Sequence, residues 1–394
     1  MNSKLILYVL GFCAAIVSLA QNLYVPLLPN LQDHLHTSFY LVNMTVSIFT
    51  IALAVMQIVF GPMIDNKGRR AVLLPSMIVY ALASIGCSLS SSIDALLFFR
   101  LLQGIGAAAV PLVAATMIGD IFEGKERAKG MATYQMILGI APALGPLIGG
   151  IIGSFAGYQG AFLFLSVMAV IMLIVASLVL PETKPVVTQR KSFGVQSFAR
   201  IFRNKTGAAV LLLGFILYDM FYNFIVFLPD ILTHTYQLDL KQIGSTFLML
   251  MSFSFIGSKI SGKLQGNMGS VKSLFFTCTL ALLSLVIFML VAKIALVWLL
   301  VSLALAGFTA GLTMSVPPTL LTEEFVNERA TALGVYNFVR YLGMAAAPLL
   351  GSLLYQGGGI FLLFGCTALI MGLAILFAKQ SLASTAVSKS NANL

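Results

Sequence analysis

The sequence predicts an all-α polytopic membrane protein with twelve transmembrane helices in two pseudo-symmetric six-helix bundles. Three observations predict it. Of the 394 residues, 59% are apolar and 9% charged, at a mean hydropathy of +0.99, whereas soluble domains are about a quarter charged. At roughly 20 residues per span, that apolar content supplies on the order of a dozen spans. The apolar runs are continuous instead of alternating, which excludes an outer-membrane barrel, and the second half of the chain repeats the first. The same composition excludes a soluble enzyme, a secreted disulfide scaffold and a nucleic-acid-binding domain.

Hydropathy places the spans at 5-28, 39-62, 71-89, 93-118, 129-153, 161-180, 207-229, 243-262, 273-292, 295-317, 331-354 and 360-378. With the N-terminus cytoplasmic, the inside collects Lys4, Lys67, Arg69, Arg70, Lys125, Arg127, Lys129, the cations from Lys184 to Lys205, Lys263, Lys272, Arg329, Lys379 and Lys389, and only Lys241 and Lys293 fall outside. That asymmetry fixes a multi-pass orientation in a cell (plasma or inner) membrane with both termini cytoplasmic. It also accounts for the net charge of +10 without a nucleic-acid partner.

The first span contains Ser18-Leu19-Ala20, which could pass for a signal-peptidase site. Cleavage would leave eleven spans and discard half of a symmetric pair, so an uncleaved helix is expected. At its far end Gln21, Asn22 and Tyr24 precede Pro26 and Pro29.

The second and third spans meet at Gly61-Pro-Met-Ile-Asp65-Asn-Lys-Gly68-Arg69-Arg70. Gly61 and Gly68 permit close approach and a tight turn, Asp65 suits a helix N-terminus, and the arginines suit the headgroup zone. This segment resembles the loop signature of the major facilitator superfamily, G-x-x-x-D-(R/K)-x-G-(R/K)-(R/K), and departs from it only at Asn66. The resemblance implies that Asp65 and Arg69 latch the cytoplasmic side, with Asp120 at the end of the fourth span as a partner. An ordinary positively charged turn is the alternative.

The fourth span carries Arg100-Leu-Leu-Gln103-Gly104, with Arg100 about 9 Å along the helix from Asp94 and about 30 Å from Asp120. A guanidinium inside the membrane needs a cavity or a partner, and Gln103 shares its face. The pattern is similar to the R-x-x-Q-G signature of the superfamily's proton-coupled exporters, which implies a part in proton coupling. An Arg bonded structurally to first-span carbonyls is the alternative.

In the fifth span Gly139, Pro142, Gly145, Pro146, Gly149 and Gly150 fall in the phase of the antiporter signature G-x-x-x-(G/A)-P-x-x-G-P-x-x-G-G. Gly145, Gly149 and Gly153 make a flat contact stripe, and the prolines bend the helix. The resemblance implies export.

Between the sixth and seventh spans, residues 181-205 read as a cytoplasmic linker. Its second part sets Val195, Phe198, Ile201 and Phe202 against Arg200 and Arg203, an interfacial amphipathic pattern. Bundles of 1-180 and 206-379 follow, with a disordered cytoplasmic tail at 380-394. Sliding one half on the other by about 202 residues superposes Arg127-Ala128 on Arg329-Ala330, Tyr134 on Tyr336, Pro146 on Pro348 and Gly149 on Gly351. Two repeats joined by a linker suggest a transporter that rocks its halves around a site near the bilayer midplane.

The seventh and eleventh spans hold Asp219 and Arg340 near the midplane. Tyr222 and Asn223 follow Asp219 at i+3 and i+4, and Asn337 and Tyr336 precede Arg340 at i−3 and i−4. A carboxyl in such a place can exchange a proton, which makes Asp219 the lead proton carrier with Arg340 and Arg100 as coupling partners. A static Asp219–Arg340 ion pair is the alternative. Gln21, Asn22, Tyr24, Gln103, Tyr222, Asn223, Tyr336, Asn337 and Phe338 form the expected substrate cavity. Two arginines against one aspartate suit an anionic or zwitterionic substrate, although Asp219 leaves room for a cation.

His34, His36 and His234 fall in expected outer loops as surface histidines. Cys13, Cys87, Cys278 and Cys366 are scattered singly as packing residues. No metal site and no cofactor are expected, and with no phosphate-binding loop ATP-driven transport would need another subunit, while the resemblance implies the proton gradient as the energy source.

The chain therefore reads as a non-enzymatic exporter of a drug-like molecule or endogenous metabolite in exchange for protons. It resembles the twelve-helix drug:proton antiporters of the bicyclomycin and chloramphenicol resistance type. Its partners are a small-molecule substrate, protons and membrane lipid, and a monomer is expected because one chain holds both halves. A dedicated exporter of a metal-chelating metabolite, a proton-independent facilitator, a lipid-active membrane enzyme and a non-transporting receptor are the rivals.

Overall fold

The structure, a computed structural model, describes the backbone of residues 3–184 and 195–391. Among these residues every regular element is a helix. In order they are α1 (Ser3–Asn22), a 3-10 turn (Val25–Leu27), α2 (Leu28–His34), α3 (Phe39–Lys67), α4 (Arg69–Leu89), α5 (Ile93–Ile121), α6 (Gly124–Val179), α7 (Val195–Arg203), α8 (Lys205–Tyr236), α9 (Leu240–Met268), α10 (Ser270–Val291), α11 (Leu296–Met314), α12 (Val316–Glu324), a second 3-10 turn (Val326–Glu328) and α13 (Arg329–Asn391).

Among the described residues, ten stretches are long and apolar enough to cross a membrane. Two hold a pair of spans each, because α6 turns at Gly157 (φ 61°) and α13 at Gly358 and Gly359 (φ 63°). Ten plus these two gives the twelve expected. Positive φ at Gly157 and Gly359 is where a Cβ would be strained.

Three boundaries differ from expectation. The first span breaks after Asn22 and resumes through Val25–Leu27 and α2, and the tenth breaks after Met314 into α12. In both places prolines without an N–H (Pro26, Pro29, Pro317, Pro318) end one helix and start the next. The last helix runs to Asn391 past Lys379, where a disordered tail was expected. Extending an existing helix needs no new nucleus, and Leu382 at its start is buried. In the linker, Ile201 of α7 is buried and Phe202 exposed. The side chains of Val195 and Phe198, and residues 185–194, lie outside the described residues.

The helix starts follow local chemistry. Ser38 Oγ and Ser92 Oγ accept the amides of Leu41 (3.2 Å) and Ala95 (3.3 Å), capping α3 and α5. Asp239 and Gln242 exchange side-chain and backbone bonds of 2.8 and 2.9 Å ahead of α9, which is a capping box.

By contact the chain forms two compact units, Met1–Ser192 with Pro229–Leu248, and Phe193–Leu228 with Met249–Leu394. The first unit includes a hairpin end that sequence position assigns to the second bundle. A Cβ on Gly150 would strike the Leu240 carbonyl, and one on Gly244 would meet Pro146 and Leu147, so the fifth-span glycines bring α6 and α9 to backbone contact. Within the same unit Gly104 lies on the Phe49 carbonyl and Gly106 on Ser76 and Tyr80. Small residues therefore seat α5 against α3 and α4. The second unit repeats the device, with Gly307 on the Leu250 carbonyl and Gly311 on that of Ser254. Large apolar side chains such as Leu178, Leu89 and Phe155 stay exposed, at 80%, 77% and 74%, as a lipid-facing surface requires.

Candidate functional site

Three clusters contain the charged residues singled out by sequence. The first is the α3–α4 junction. Gly68 takes φ 107° and ends α3, which turns Arg69 inward. Arg69 is 4% exposed, its Nε donates to Asp120 Oδ2 at 2.8 Å, and its Nη1 lies 3.8 Å from Asp65 Oδ1. The structure thus pairs Arg69 with both acids that sequence offered. Arg70 instead donates to the carbonyls of Leu180 (2.9 Å) and Ser177 (2.6 Å) at the end of α6. Gly61 has open space around it.

Sequence reasoning missed Glu182. Its carboxylate accepts the amides of Arg69 (2.8 Å) and Arg70 (3.1 Å), satisfying donors at the start of α4, and those of Thr183 and Lys184, both at 3.0 Å. A Cβ at Gly68 would collide with this carboxylate. Thr183 Oγ1 donates to Asp120 at 2.9 Å and Lys184 Nζ to the Asn66 carbonyl at 2.7 Å, so residues 182–184 strap the junction. No pattern in the sequence signals it, since Glu182 lies 113 residues from Arg69.

Partial burial pushes the Glu182 carboxyl up, but the amides of Arg69, Lys184, Ala71 and Arg70 outweigh it and hold the group below its ordinary value. A carboxylate with a depressed folded pKa stabilises the fold above its unfolded pKa, about 4.3, and that contribution is lost as pH falls through the folded value. Glu182→Gln is therefore expected to melt earlier than wild type at pH 7, with the gap closing below about pH 4. Thermal unfolding in detergent across pH checks this, and a gap independent of pH would refute it.

The second cluster is built on Arg100, which is fully buried. Its Nε donates to the Thr45 carbonyl (3.1 Å), and its Nη1 to the Ala20 carbonyl (3.2 Å) and Gln103 Oε1 (2.6 Å). Its guanidinium lies 4.6 Å from the Tyr24 ring centroid and 4.2 Å from that of Phe49, which are cation–π distances. Gln103 Nε2 continues to Ser84 Oγ at 2.8 Å, and Tyr24 Oη pairs with Thr45 Oγ1 at 2.9 Å. The arginine ties α1, α3 and α5 together with no carboxylate among its partners.

The third cluster joins α8 and α13. Asp219 Oδ2 accepts from Asn223 Nδ2 at 3.1 Å, and Asn223 also reaches Thr367 Oγ1 at 3.4 Å. Arg340 Nη1 and Nη2 reach the hydroxyls of Tyr218 and Tyr341, both at 3.4 Å, and its guanidinium lies 5.5 and 5.0 Å from their rings. Among the described residues no ion pair joins Asp219 to Arg340. Arg340 Nε and Tyr336 Oη are buried without a partner. Tyr218 and Tyr341 were not singled out by sequence, because positions adjacent to a chosen residue do not share its helix face and the collar closes across two helices.

Of the expected cavity residues, Gln21, Asn337 and Phe338 are partly exposed, as are Asp219 and Arg340. Asn22, Tyr24, Gln103, Tyr222, Asn223 and Tyr336 are buried. In the first unit a cavity of about 640 Å³ is lined by Asp33, His34, His36, Tyr158 and Gln159, among others. Among the described residues no three side chains are grouped to hold a metal.

The chain is similar in sequence to curated transporters and in fold to solved ones. The uncharacterized MFS-type transporter YceJ of Bacillus subtilis is 26% identical over 368 residues, 93% of each chain. Citrate exporter 1 of Aspergillus niger is 32% identical over 171 residues, 43% of this chain and 33% of that one. The chloramphenicol resistance protein of Pseudomonas aeruginosa is 30% identical over 170 residues, 43% of this chain and 41% of that one. A bacterial homologue of the human lysosomal transporter Spinster, solved inward-facing and unoccupied, superposes with a TM-score of 0.80 at 16% identity, covering 95% of this chain and 96% of that one. The family model for the Major Facilitator Superfamily matches residues 10–348, a stretch that includes Arg69, Arg100, Asp219 and Arg340, and the chain belongs to that superfamily, whose members are transporters and not enzymes.

Proposed function

We propose that this transporter is a proton-driven exporter, moving a small organic molecule out of the cytoplasm by alternating access while protons enter. It works as a monomer in the cell membrane with its basic end and both termini cytoplasmic, and needs no cofactor beyond the proton gradient. The orientation rests on the bias of Lys and Arg to one end. The direction rests on the fifth-span glycine and proline pattern, and it agrees with the names of two relatives, a citrate exporter and a chloramphenicol resistance protein.

The observation that carries the proton coupling is Asp219, an acid within a span, partly accessible, with an amide and no cation as its protein partner. A carboxyl locked to Arg340 would stay ionised. One held by a neutral amide can gain and lose a proton, and substrate that displaces the proton makes exchange obligatory. Arg340, within a span and partly accessible, serves recognition. Arg100, fully buried and bonded to two backbone carbonyls and to Gln103, holds the first unit together. The Arg69, Asp65 and Asp120 cluster forms the cytoplasmic latch.

The test is proton movement in proteoliposomes under an imposed pH gradient, wild type beside Asp219→Asn, across cationic drugs, phenicols and amino carboxylates. Wild type is expected to release protons on adding a substrate, and Asp219→Asn to lose at least about tenfold of that response. Equal responses would remove Asp219 from the mechanism. Labelled substrate crossing with no proton response in either protein would establish a facilitator.

A further inference from the structure

A cation outside the three clusters, Lys259 of α9, sits at the depth of a span. α9 packs on α11 through small residues. A Cβ on Gly257 would strike the Phe308 carbonyl, one on Gly311 would strike that of Ser254, and Ser261 Oγ donates to the Leu312 carbonyl at 2.6 Å. Ser254, Gly257 and Ser261 recur at i, i+3 and i+7 and so share one side of the helix. Lys259 is about 200° around the axis from Gly257, and it leaves on the opposite side with Ser252, Phe255, Gly262 and Lys263, all of them exposed. A Cβ on Gly262 or on Gly266 would meet nothing within 4 Å, so the space along this face is open.

The Lys259 ammonium does not run toward the nearer end of its helix. Its Nζ lies 4.5 Å from the centroid of the Phe255 ring, one turn toward Leu240, and the ring itself leans the same way, as helical side chains do. α9 runs from Leu240 to Met268, so Phe255 is about 22 Å from one end and about 20 Å from the other. The charge therefore sits near the middle of the span. A lysine that faces lipid carries its charge to the headgroups, whereas one kept at depth faces water or a partner.

The protein offers it no anion. No Asp or Glu occurs between residues 240 and 268, and among the described residues no ion pair includes Lys259 or Lys263. The two lysines stand at i and i+4, where like charges repel, and an anion between them removes the repulsion. Beside them Phe255 and Ile256 are 55% and 46% exposed. Two cations next to a ring and an aliphatic side chain suit a ligand with a negative group at one end and an apolar body at the other.

We propose that Lys259 is a recognition cation for an organic anion in the transport pathway. Its ammonium takes a carboxylate, Phe255 and Ile256 take the apolar body, and Lys263 draws the anion toward them. The proposal rests on the exporter reading above and names its substrate class, an aromatic carboxylate.

The experiment uses the full-length protein in detergent and in proteoliposomes. The probes are benzoate, phenylacetate, cinnamate and naphthoate, each beside its neutral amide, with binding read by calorimetry. At least one carboxylate is expected to bind wild type about tenfold or more tighter than its amide. Lys259→Gln should remove that preference while still binding the amide, a split that a merely structural lysine would not produce. Lys259→Arg should keep most of it, and melting curves confirm that both variants fold. An anionic lipid phosphate carries the same charge as the carboxylate, so a second arm separates the two sources. Lys259→Cys in proteoliposomes is expected to react with a membrane-impermeant maleimide above the wild-type background.

Labelling of Lys259→Cys by a lipid-soluble maleimide alone, or by neither reagent, overturns the proposal. So does a rise in the melting point of wild type, absent in Lys259→Gln, on adding phosphatidylglycerol while carboxylates bind both proteins alike, since the anion is then a lipid phosphate. If no carboxylate binds at about 10 mM while a phenicol or a cationic drug still releases protons, the site is refuted and the exporter stands. If carboxylates bind with the expected preference but no compound crosses the membrane, the site stands and the exporter reading fails.

Discussion

Gly149→Val is expected to leave little folded protein, and Gly149→Ala to melt well below wild type. Any Cβ at this position would strike the Leu23 carbonyl, which is backbone at the end of α1 and has no rotamer to change. Leu23 itself is fully buried. Overpacking a tight contact costs about 1–3 kcal/mol when side chains can yield, and here a helix must move instead. Gly139, ten residues earlier on the same helix, has nothing within 4 Å of its added Cβ. Gly139→Ala should therefore match wild type or gain up to about 1 kcal/mol in helix propensity. Melting curves by size-exclusion fluorescence compare the two. Equal midpoints for Gly149→Ala and Gly139→Ala would sink the argument.

Arg100→Lys should destabilise the protein more than Arg100→Met. Lysine places one compact charge where a planar group now reaches Thr45, Ala20 and Gln103 at once, and it cannot span all three. Each lost bond to a charged group is worth about 1.5–3 kcal/mol, and the buried ammonium that remains is poorly paired. Methionine removes the charge, and an apolar replacement for a buried ionic group is often tolerated. The helix-tying reading expects Arg100→Met to keep transport in proportion to its folded yield. A well-folded Arg100→Met with normal binding and no proton release would return Arg100 to the coupling mechanism.

The spans were legible because their signal is one-dimensional, a run of apolar residues closed by charge, Gly or Pro. Asn223 on Asp219 and Gln103 on Arg100 were legible for a related reason, since i+3 and i+4 neighbours are fixed by helix geometry before any packing occurs. The Arg69–Asp120 contact came from the family signature and not from spacing. Glu182 reaches Arg69 across 113 residues, and no local rule connects them. The Tyr218 and Tyr341 collar depends on which faces of α8 and α13 meet. The Pro229–Leu248 segment groups with the first unit because glycines on α6 and α9 allow backbone contact, a pairing that becomes visible only with both helices in place.

The glycine turns at Gly157 and Gly359 bear on how the protein is made. Each joins two spans with almost no loop, and the residues around them, Ala156-Gly-Tyr-Gln159 and Gln356-Gly-Gly-Gly359, carry no charge. A connection so short and neutral gives the insertion machinery no hydrophilic segment to translocate separately. Spans five and six, and again eleven and twelve, are thus suited to enter the bilayer as hairpins.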